Sequence, residues 1–364
     1  MRKRRAFTLI PALAVLCLLP WAQTPGAKQG KPRLAYISNL MSHTVSVIDL
    51  DGMKWLRDLN FGPYPIFSSL HPHDRTKMIL VFHNYDRAED EDVIALIDLK
   101  TEKILRKVRF PGRGLPSGFV YDKKRDRIYI ADENVHKVFA LDAMTLDVIF
   151  ELPAGLVPVH VDISPDCRWL AVTNRKSANL YVYDLDNILH NAKDGIYTIP
   201  LGPSPGLLWD TEASGTTLFS HPLDIKFGGN NEICYVTDYS RREFLAIDIK
   251  TRTITDRIVF DKTPFDFTLN GERNLAFVCH VEGDAISVVD LEKKAVIAEI
   301  SGLSLNPIHC ELDEANGILI AACWGDYQKG GIHIVDMKTY KILKSIFPNG
   351  AKASIGITIA PPAN

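Results

Sequence analysis

The sequence predicts an all-β protein, a seven-bladed β-propeller with four antiparallel strands per blade. Three observations carry this prediction: a short apolar run ending in aspartate recurs seven times, five of the six steps between copies are 42 to 49 residues, and the intervening runs alternate apolar and polar residues between turn residues. A period in the low forties, built from short strands, is typical of propeller blades. The seven aspartates are Asp49, Asp98, Asp142, Asp184, Asp248, Asp290 and Asp336.

Each copy contains four strand-like runs, which we label A to D from the channel outward. Residues 222–260 show them most clearly. Turn residues such as the Gly-Gly-Asn-Asn stretch at 228–231 separate the runs. The aspartate that ends strand C is expected to satisfy turn N–H groups rather than to take part in chemistry. The four runs of this copy are 223–227, 233–238, 243–249 and 253–260.

The two ends of the repeat region predict how the ring closes. The first copy begins with a B-like run at 33–38 and has no A run before it, whereas the last A-like run, at 354–359, has no B run after it. Pairing the C-terminal strand with the N-terminal strands completes one blade and leaves no open sheet edge. We therefore expect a single propeller domain over residues 31–361.

The longest step between aspartates, 64 residues, indicates an insertion after Asp184. We place the outer strand of this blade at 195–201 and a Pro/Gly/Ser-rich insertion loop, which carries Trp209, at 202–220. A smaller acidic excursion occupies residues 84–92. It is interpreted as a solvated loop, because it lacks the glycine and the spacing of an EF-hand calcium loop.

The N-terminus resembles an export signal. Four basic residues, 2–5, precede an apolar stretch of 14 residues that is too short to span a bilayer comfortably. We predict a signal peptide and short linker over 1–27, with cleavage near 22 or 27, and no transmembrane anchor afterwards. The Arg4-Arg5 pair leaves the twin-arginine and the general secretory routes both open. The expected location is periplasmic or extracellular, in a bacterium.

Charge and composition limit the partners. The net charge is −2, and removal of the four basic residues of the leader makes it −6. No basic stripe is present, so we expect no nucleic acid as a partner. Five cysteines remain after the leader, and an odd number at repeat-like positions does not indicate a disulfide framework. We expect them to pack between blades.

The repeats resemble the YVTN-type β-propeller repeat. The resemblance is carried by residues 35–49 (AYISNLMSHTVSVID), 158–166 (PVHVDISPD) and 234–238 (CYVTD), and it extends over nearly the whole mature chain. It implies a propeller of the kind found in exported bacterial and archaeal proteins. Similar propellers occur in surface-layer proteins, amine dehydrogenase subunits and haem-binding enzymes of nitrite metabolism. No Cys-x-x-Cys-His motif for covalent haem attachment is present.

Candidate site residues follow from the topology, because A strands line the channel and begin at the mouth where B strands end. Six A runs start with proline and the seventh starts with Ser354. The family repeat commonly has a small residue two positions further on, but four successive blades here have His, Asp, Asp and His. These positions are Phe67, Gly118, His160, Asp224, Asp266, His309 and Gly356.

The ends of the B strands and the turns after them add a second set of candidates. Histidines and carboxylates that converge on a pocket can bind a transition metal or zinc, act as general acids and bases, or form a polar cradle for a small ligand. A solvated polar channel whose Asp–His and Asp–Arg pairs tie blades together is the fourth interpretation. The second set is Asn174, Asp238, His280, Trp324, Arg175, Arg241 and Arg242. The candidate metal ligands among both sets are His160, His280, His309, Asp224 and Asp266.

Two functions of different classes remain open. One is an exported binding or scaffold protein that presents one face, including the 202–220 insertion, to a small ligand or partner protein, with Trp209 and Trp324 as candidate anchors. The other is a metal- or tetrapyrrole-dependent periplasmic enzyme or enzyme subunit, a hydrolase or an oxidoreductase, with its site at the channel mouth. No nucleophile elbow or phosphate-binding glycine loop is present.

Overall fold

The computed structural model describes residues 32–83, 94–110, 114–188, 195–206, 219–326 and 330–361. They form seven four-stranded antiparallel sheets. Each innermost strand contacts the innermost strand of the next sheet, and the last of them contacts the first, so the sheets form a closed ring. The predicted seven-bladed propeller is confirmed. The signal segment, the acidic residues 84–92 and most of the insertion, with Trp209, lie outside the described residues.

The strand bounds follow the predicted runs closely. In chain order, the strands of the first half are β1 (Leu34–Asn39), β2 (Thr44–Asp49), β3 (Lys54–Leu59), β4 (Pro65–Leu70), β5 (Lys77–Phe82), β6 (Ile94–Asp98), β7 (Lys103–Val108), β8 (Pro116–Asp122), β9 (Arg127–Asp132), β10 (Lys137–Asp142), β11 (Val148–Pro153), β12 (Pro158–Ile163), β13 (Trp169–Asn174), β14 (Asn179–Asp184) and β15 (Ile196–Pro200). Those of the second half are β16 (Pro222–Phe227), β17 (Ile233–Asp238), β18 (Glu243–Asp248), β19 (Thr253–Val259), β20 (Thr263–Asn270), β21 (Leu275–Val281), β22 (Ile286–Asp290), β23 (Ala295–Ile300), β24 (Pro307–Asp313), β25 (Ile318–Cys323), β26 (Gly331–Asp336), β27 (Ile342–Ile346) and β28 (Ser354–Ala360).

The C-terminal strand closes the ring. Blade 1 has the order β28-β1-β2-β3, and blades 2 to 7 take the remaining strands in fours. Strand β28 is antiparallel to β1, with Ile37 opposite Ile357 and Leu34 opposite Ala360. This pairing confirms the predicted closure, and it satisfies the hydrogen-bonding groups of what would otherwise be two free edges.

Among the residues that the structure describes, helical structure is limited to short connections. Helix α1 spans Leu185–Ile188, and two single 3₁₀ turns span Leu40–Ser42 and Glu314–Asn316. Within the described ranges, we find no helix with the length and apolar character needed to cross a membrane. Sites that require a helix are therefore not available in these ranges.

The hydrophobic core is divided among the interfaces between blades. Strand side chains alternate between the two faces of each sheet, so each blade contributes to two neighbouring interfaces. The interface of blades 6 and 7, for example, buries Phe277, Val288 and Leu319 together with three cysteines. All five cysteines of the described chain are buried and free, as expected from the sequence: Cys167, Cys234, Cys279, Cys310 and Cys323.

The recurrent aspartate at the end of each C strand organises a turn. Asp98 Oδ1 accepts hydrogen bonds from the N–H groups of Lys100 at 2.9 Å and Thr101 at 2.7 Å. Asp336 Oδ1 does the same for Lys338 at 3.1 Å and Thr339 at 2.6 Å. These acceptors satisfy backbone donors that the strands leave without partners. The repeat signature is thus structural, and it lies away from the channel axis.

Every A strand carries a β-bulge just after its leading position, which is proline in six blades and Ser354 in blade 1. In blade 4, Pro158 lies opposite Asn174, but Val161 lies opposite Val172, so the A strand has one extra residue in between. The other six blades show the same register shift. A bulge interrupts the alternation and redirects side chains. It places the two residues after the leading position together at the channel.

Candidate functional site

In six of the seven blades, the residue that follows the B strand lines a chamber at one mouth of the channel. The chamber has a volume of about 560 Å³. In six blades the N–H of this residue donates to the carbonyl that precedes the A strand, for example Arg175 N to Val157 O at 2.9 Å and Trp324 N to Asn306 O at 2.8 Å. We call these six residues the mouth ring. They are Leu40, His83, Glu133, Arg175, Tyr239 and Trp324.

Below the mouth ring, the bulged A strands contribute two further rings. The first residue after the leading position forms a mainly apolar collar, and the second residue forms the floor of the chamber. The collar therefore lies between the mouth ring and the polar floor. The collar is Ile66, Ser117, Val159, Leu223, Phe265 and Ile355. The floor ring is the set aligned in the sequence: Phe67, Gly118, His160, Asp224, Asp266, His309 and Gly356.

A second chamber of about 380 Å³ lies on the other side of the floor ring. Phe67, His160, Asp224 and Asp266 line both chambers, so they separate the two. His309 lines the second chamber. The structure therefore brings together four of the predicted candidates, His160, Asp224, Asp266 and His309, at one level of the channel.

Asp224 is the most connected residue of the floor. Its Oδ1 lies 2.9 Å from His160 Nδ1 and accepts the N–H of Ile225 at 2.8 Å. Its Oδ2 accepts from Lys226 Nζ at 3.0 Å and from the N–H of Phe267, in the next blade, at 3.1 Å. Burial alone would raise the pKa of Asp224, but the Lys226 ammonium and His160 outweigh it and lower the pKa. Asp224 is therefore an anion at neutral pH.

Asp266 and His309 form the second pair of the floor. Asp266 Oδ2 lies 3.1 Å from His309 Nδ1, whereas Asp266 Oδ1 is buried and has no hydrogen-bond partner in the described structure. Burial would lower the pKa of His309, but the Asp266 carboxylate raises it above its ordinary value. The Phe67 ring lies 5.0 Å from the His160 ring and 6.4 Å from the His309 ring, measured between centroids.

The second chamber is also lined by charged residues. Two positions beyond the floor ring lie Asp162, Lys226 and Glu311. Burial raises the pKa of Asp162 to about 6, and burial also raises the pKa of Glu311. With the two floor aspartates, four carboxyl groups surround the single ammonium of Lys226 among these rings.

The mouth ring carries a separate set of charges. Glu133 Oε1 lies 3.7 Å from His83 Nε2, and Glu133 Oε2 lies 3.9 Å from an Arg175 guanidinium nitrogen. Burial would raise the pKa of Glu133, but His83 and Arg175 hold it below its ordinary value. The chamber thus has polar groups at two heights, with the apolar collar between them.

Gly118 makes room for His160. A Cβ at Gly118 would lie 2.9 Å from the Cα and 2.9 Å from the Cγ of His160, which is closer than side-chain carbons approach such atoms. The glycine in blade 3 therefore allows the imidazole of blade 4 to reach the floor. This local requirement explains why a small residue precedes the histidine in the ring.

Five of the predicted candidates do not line the chamber, and these predictions of placement were wrong: Asn174, Asp238, Arg241, Arg242 and His280. His280 is fully buried; its Nε2 lies 2.7 Å from Ser287 Oγ and its ring packs on Phe260 at the outer strand. Burial lowers the pKa of His280 to about 4. Asp238 is also buried, and its Oδ1 accepts the N–H groups of His221 at 3.0 Å and Arg241 at 3.2 Å.

Of the predicted arginines, Arg175 lies at the chamber and Arg241 lies elsewhere. Arg175 lines the chamber, as does Trp324. Arg241 instead directs its Nε to Glu243 Oε2, at 3.3 Å, on strand β18. Asn174 binds backbone, with Oδ1 accepting the N–H of Gly155 at 2.9 Å. The last residue of a B strand therefore supports the loop before the A strand, and the next residue faces the chamber.

Sequence reasoning missed four residues of the mouth ring, which are Leu40, His83, Glu133 and Tyr239. Tyr239 lies one position after the predicted Asp238, and a shift of one position turns a strand side chain to the opposite face. The other three lie in blades 1 to 3, whereas the candidates at the ends of B strands came from blades 4 to 7 alone. Lys226, two positions after Asp224 in the same strand, was the other signal available in the sequence.

The fold and its two chambers define the protein as a seven-bladed propeller with a partitioned channel. No protein-family model matches the chain, and no curated protein matches it. The chain is similar to the crystal structure of a functionally unknown protein from Desulfotomaculum acetoxidans DSM 771, with a TM-score of 0.66 and 11% identity over 91% of this chain and 99% of that one.

A second similar structure is that of dihydro-heme d1 dehydrogenase NirN in complex with DHE. Its TM-score is 0.63, with 15% identity over 89% of this chain and 74% of that one. Identities this low show the shared fold alone. The YVTN-type resemblance remains a prediction.

Proposed function

We propose that the protein binds a small organic ligand in the mouth chamber. The observation that supports this is the combination of volume and wall chemistry: about 560 Å³, a mainly apolar collar, and charged groups at the mouth and at the floor among the described residues. Ligand sites are typically concave, mostly apolar and provided with a few placed polar groups. A channel that was merely solvated would not need an apolar collar between its two polar levels.

The wall predicts the chemistry of the ligand. Val159, Leu223 and Phe265 would contact an apolar body, and Tyr239 and Trp324 offer aromatic faces at the rim. The charged groups of His83, Glu133 and Arg175 lie on one side of the mouth, where a polar or ionised end of the ligand would meet them. We expect an amphipathic molecule with its polar ends at opposite heights.

Filling the chamber tests this proposal. Val159→Trp places an indole in the collar, and Val259→Trp is the matched control, because Val259 is 69% exposed on strand β19. We expect the anionic fluorophore 1-anilinonaphthalene-8-sulfonate to bind the wild type and the control at one site with equal affinity, and the collar variant on the order of 100-fold more weakly. Equal binding to all three proteins would reject the chamber as the ligand site.

A tetrapyrrole is the second candidate ligand, and one specific observation favours it. His160 lies at the floor of the chamber with Nδ1 held by Asp224, and its Nε2 has no hydrogen-bond partner in the described structure, so this atom can serve as an axial ligand. The similarity to dihydro-heme d1 dehydrogenase NirN raises the same class of ligand by analogy of fold. A bound tetrapyrrole would supply redox chemistry, which would make the protein an enzyme or an enzyme subunit.

Haemin titration separates the two candidates. A histidine-ligated complex should give a sharp Soret band at one equivalent in the wild type, and His160→Ala should lose the band. His73→Ala is the control, since His73 pairs with Asp126 in a turn away from the chamber. A band that survives in His160→Ala would reject axial ligation by this residue, and the general small-molecule proposal would stand alone.

Export is part of the proposed function, because a cleaved leader would deliver the propeller to the periplasm or the cell exterior. The supporting observation is the basic and apolar pattern of residues 1–27. N-terminal sequencing of the protein from its native host should find a mature end near residue 23 or 28. An intact N-terminus in a cytoplasmic fraction would contradict it.

A further inference from the structure

We propose that the floor of the mouth chamber binds one divalent transition-metal ion through His160, Asp224 and Asp266. One ligand atom from each of the three residues lies within 4.8 Å of the other two. They come from three successive blades, 4, 5 and 6, whose inner strands pack against each other and bring the three residues together. The site shares His160 with the tetrapyrrole candidate but uses its Nδ1, whereas a tetrapyrrole would use its Nε2.

The distances suit a first-row metal. His160 Nδ1 and Asp224 Oδ1 are 2.9 Å apart. In a tetrahedral site with bonds of about 2.0 to 2.2 Å, two ligand atoms are separated by about 3.4 Å. A metal that replaces the proton between these two atoms therefore requires an opening of about 0.5 Å, which small side-chain rotations supply. Asp266 must approach from the third direction.

Protein contacts orient both carboxylates. Asp266 Oδ1 is left for a cation, and Asp224 Oδ1, which also accepts the N–H of Ile225, faces His160, where a metal would replace the shared proton. Asp224 Oδ2 is held by Lys226 and by the N–H of Phe267, and Asp266 Oδ2 is held by His309. Such outer contacts orient metal ligands and are a regular part of metal sites. In this arrangement His309 is a positioning residue for Asp266, and it does not itself bind the metal.

The independent observation is the unsatisfied oxygen of Asp266. Asp266 is only 3% exposed, and no hydrogen-bond donor in the described structure reaches its Oδ1. A buried acceptor without a partner is costly, and buried carboxylates are expected to be paired or to coordinate a metal. A cation at the floor gives this oxygen its partner. It also offsets part of the negative charge of the carboxyl groups around Lys226.

The donor set and the position of the site predict the metal and its accessibility. One imidazole and two carboxylates without a thiolate suit Zn²⁺, Mn²⁺, Fe²⁺ or Co²⁺. All three residues line the mouth chamber, so the coordination positions that protein does not fill face the chamber. An open position of this kind is typical of catalytic rather than structural metal sites.

Co²⁺ binding to the full-length mature protein tests the proposal, with visible absorption as the direct readout. We expect one equivalent to bind, with d–d bands of a four- or five-coordinate site, and Zn²⁺ to displace it. His160→Gln and Asp266→Asn should each weaken binding on the order of 100-fold. The matched control is His73→Gln, since His73 forms a histidine–carboxylate pair with Asp126 that the channel does not include.

The outcomes are decisive in both directions. Saturable one-to-one binding that the two floor variants lose and the control keeps supports the site. Absence of saturable binding to the wild type overturns it, as does unchanged binding in His160→Gln or Asp266→Asn. If a floor variant fails to fold, the wild type still decides through a second measurement, because Zn²⁺ at saturation must raise its melting temperature, and no rise would overturn the site.

Discussion

Replacing Asp224 with asparagine tests whether one carboxylate ties three blades together. Asp224 belongs to blade 5; it contacts His160 from blade 4 and accepts the N–H of Phe267 from blade 6. Asparagine preserves the shape but removes the charge. The amide nitrogen of asparagine cannot accept a hydrogen bond. The donors that now contact one of the two carboxylate oxygens of Asp224 would therefore lose their acceptor.

The size of the effect follows from the burial of the pair. The side chain of Asp224 is 2% exposed and that of Lys226 is 30% exposed. Removing one partner of a buried ion pair costs about 3 to 5 kcal/mol, and the partial exposure of Lys226 places the expected loss at the lower end, about 3 kcal/mol. At about 2 °C for each kcal/mol in a domain of this size, the melting temperature should fall by about 6 °C.

Guanidinium unfolding at pH 7 measures this loss, with Asp256→Asn as the control. Asp256 also pairs with a lysine, Lys294, at 2.8 Å, but the side chains are 28% and 56% exposed. An exposed pair contributes about 0 to 1 kcal/mol. The unfolding midpoint should move strongly for Asp224→Asn and little for the control, with the slope unchanged in both. A loss below about 1 kcal/mol for Asp224→Asn would refute the argument.

The stability difference between the wild type and Asp224→Asn should depend on pH in one direction. The folded-state pKa of Asp224 is lowered, so its contribution is fully present above the unfolded-state pKa of about 3.9 and is lost as pH falls through the folded-state value. The stability difference between wild type and Asp224→Asn should therefore be constant from pH 5 to 8 and shrink below about pH 4. A difference that grows on acidification would contradict the assignment of Asp224 as the anion.

Three further predictions concern the channel. Gly356→Ala should destabilise the protein by about 1 to 3 kcal/mol, since its Cβ would overlap backbone of blade 2, whereas Gly229→Ala, which meets open space, should be neutral in thermal melts. Gly118→Ala should displace His160 and weaken Co²⁺ binding in the absorption titration, again with Gly229→Ala unchanged. Asp162→Asn should stabilise the protein above pH 6 by about 1 to 2 kcal/mol and leave it unchanged near pH 4, as measured by denaturant unfolding at both pH values. The folded-state pKa of Asp162 is raised to about 6, so the wild type loses stability as pH rises from about 4 through 6.

The architecture was predictable from sequence because its determinants are local and repeated. Alternating apolar residues, turn residues and the aspartate that ends each C strand recur in every blade, so an error in one copy is corrected by the others. The missing A run at the start and the unpaired A run at the end then determined the closing pair β1 and β28. The floor ring was predictable for a related reason: the leading proline of the A strands provides a common reference position.

The mouth ring was predicted only in part, because the residues just before it, at the ends of the B strands, are also polar. They are polar because they bind backbone. Asp132, Asn174 and Asp238 end their B strands, and their side chains accept backbone N–H groups of the loop before the A strand. Buried backbone donors require such partners. A polar residue at this position resembles a site residue in the sequence, yet its side-chain oxygen already accepts backbone hydrogen bonds. Whether the last residue of a B strand or the residue after it faces the chamber depends on the direction of each side chain at the strand end. Residue type alone does not reveal this direction.

The asymmetry of the floor ring has a steric cause. Blades 4 to 7 contribute four ionisable side chains, and the glycines stand in blades 3 and 1 beside them. At Gly118 the space of a side chain is taken by His160, and at Gly356 it is taken by the backbone of blade 2. A ring of seven full side chains would not fit at this level, because His160 and the backbone of blade 2 already fill the positions beside Gly118 and Gly356. The two glycines therefore leave the four ionisable side chains of blades 4 to 7 clustered on one side of the channel, and the proposed floor site lies on that side.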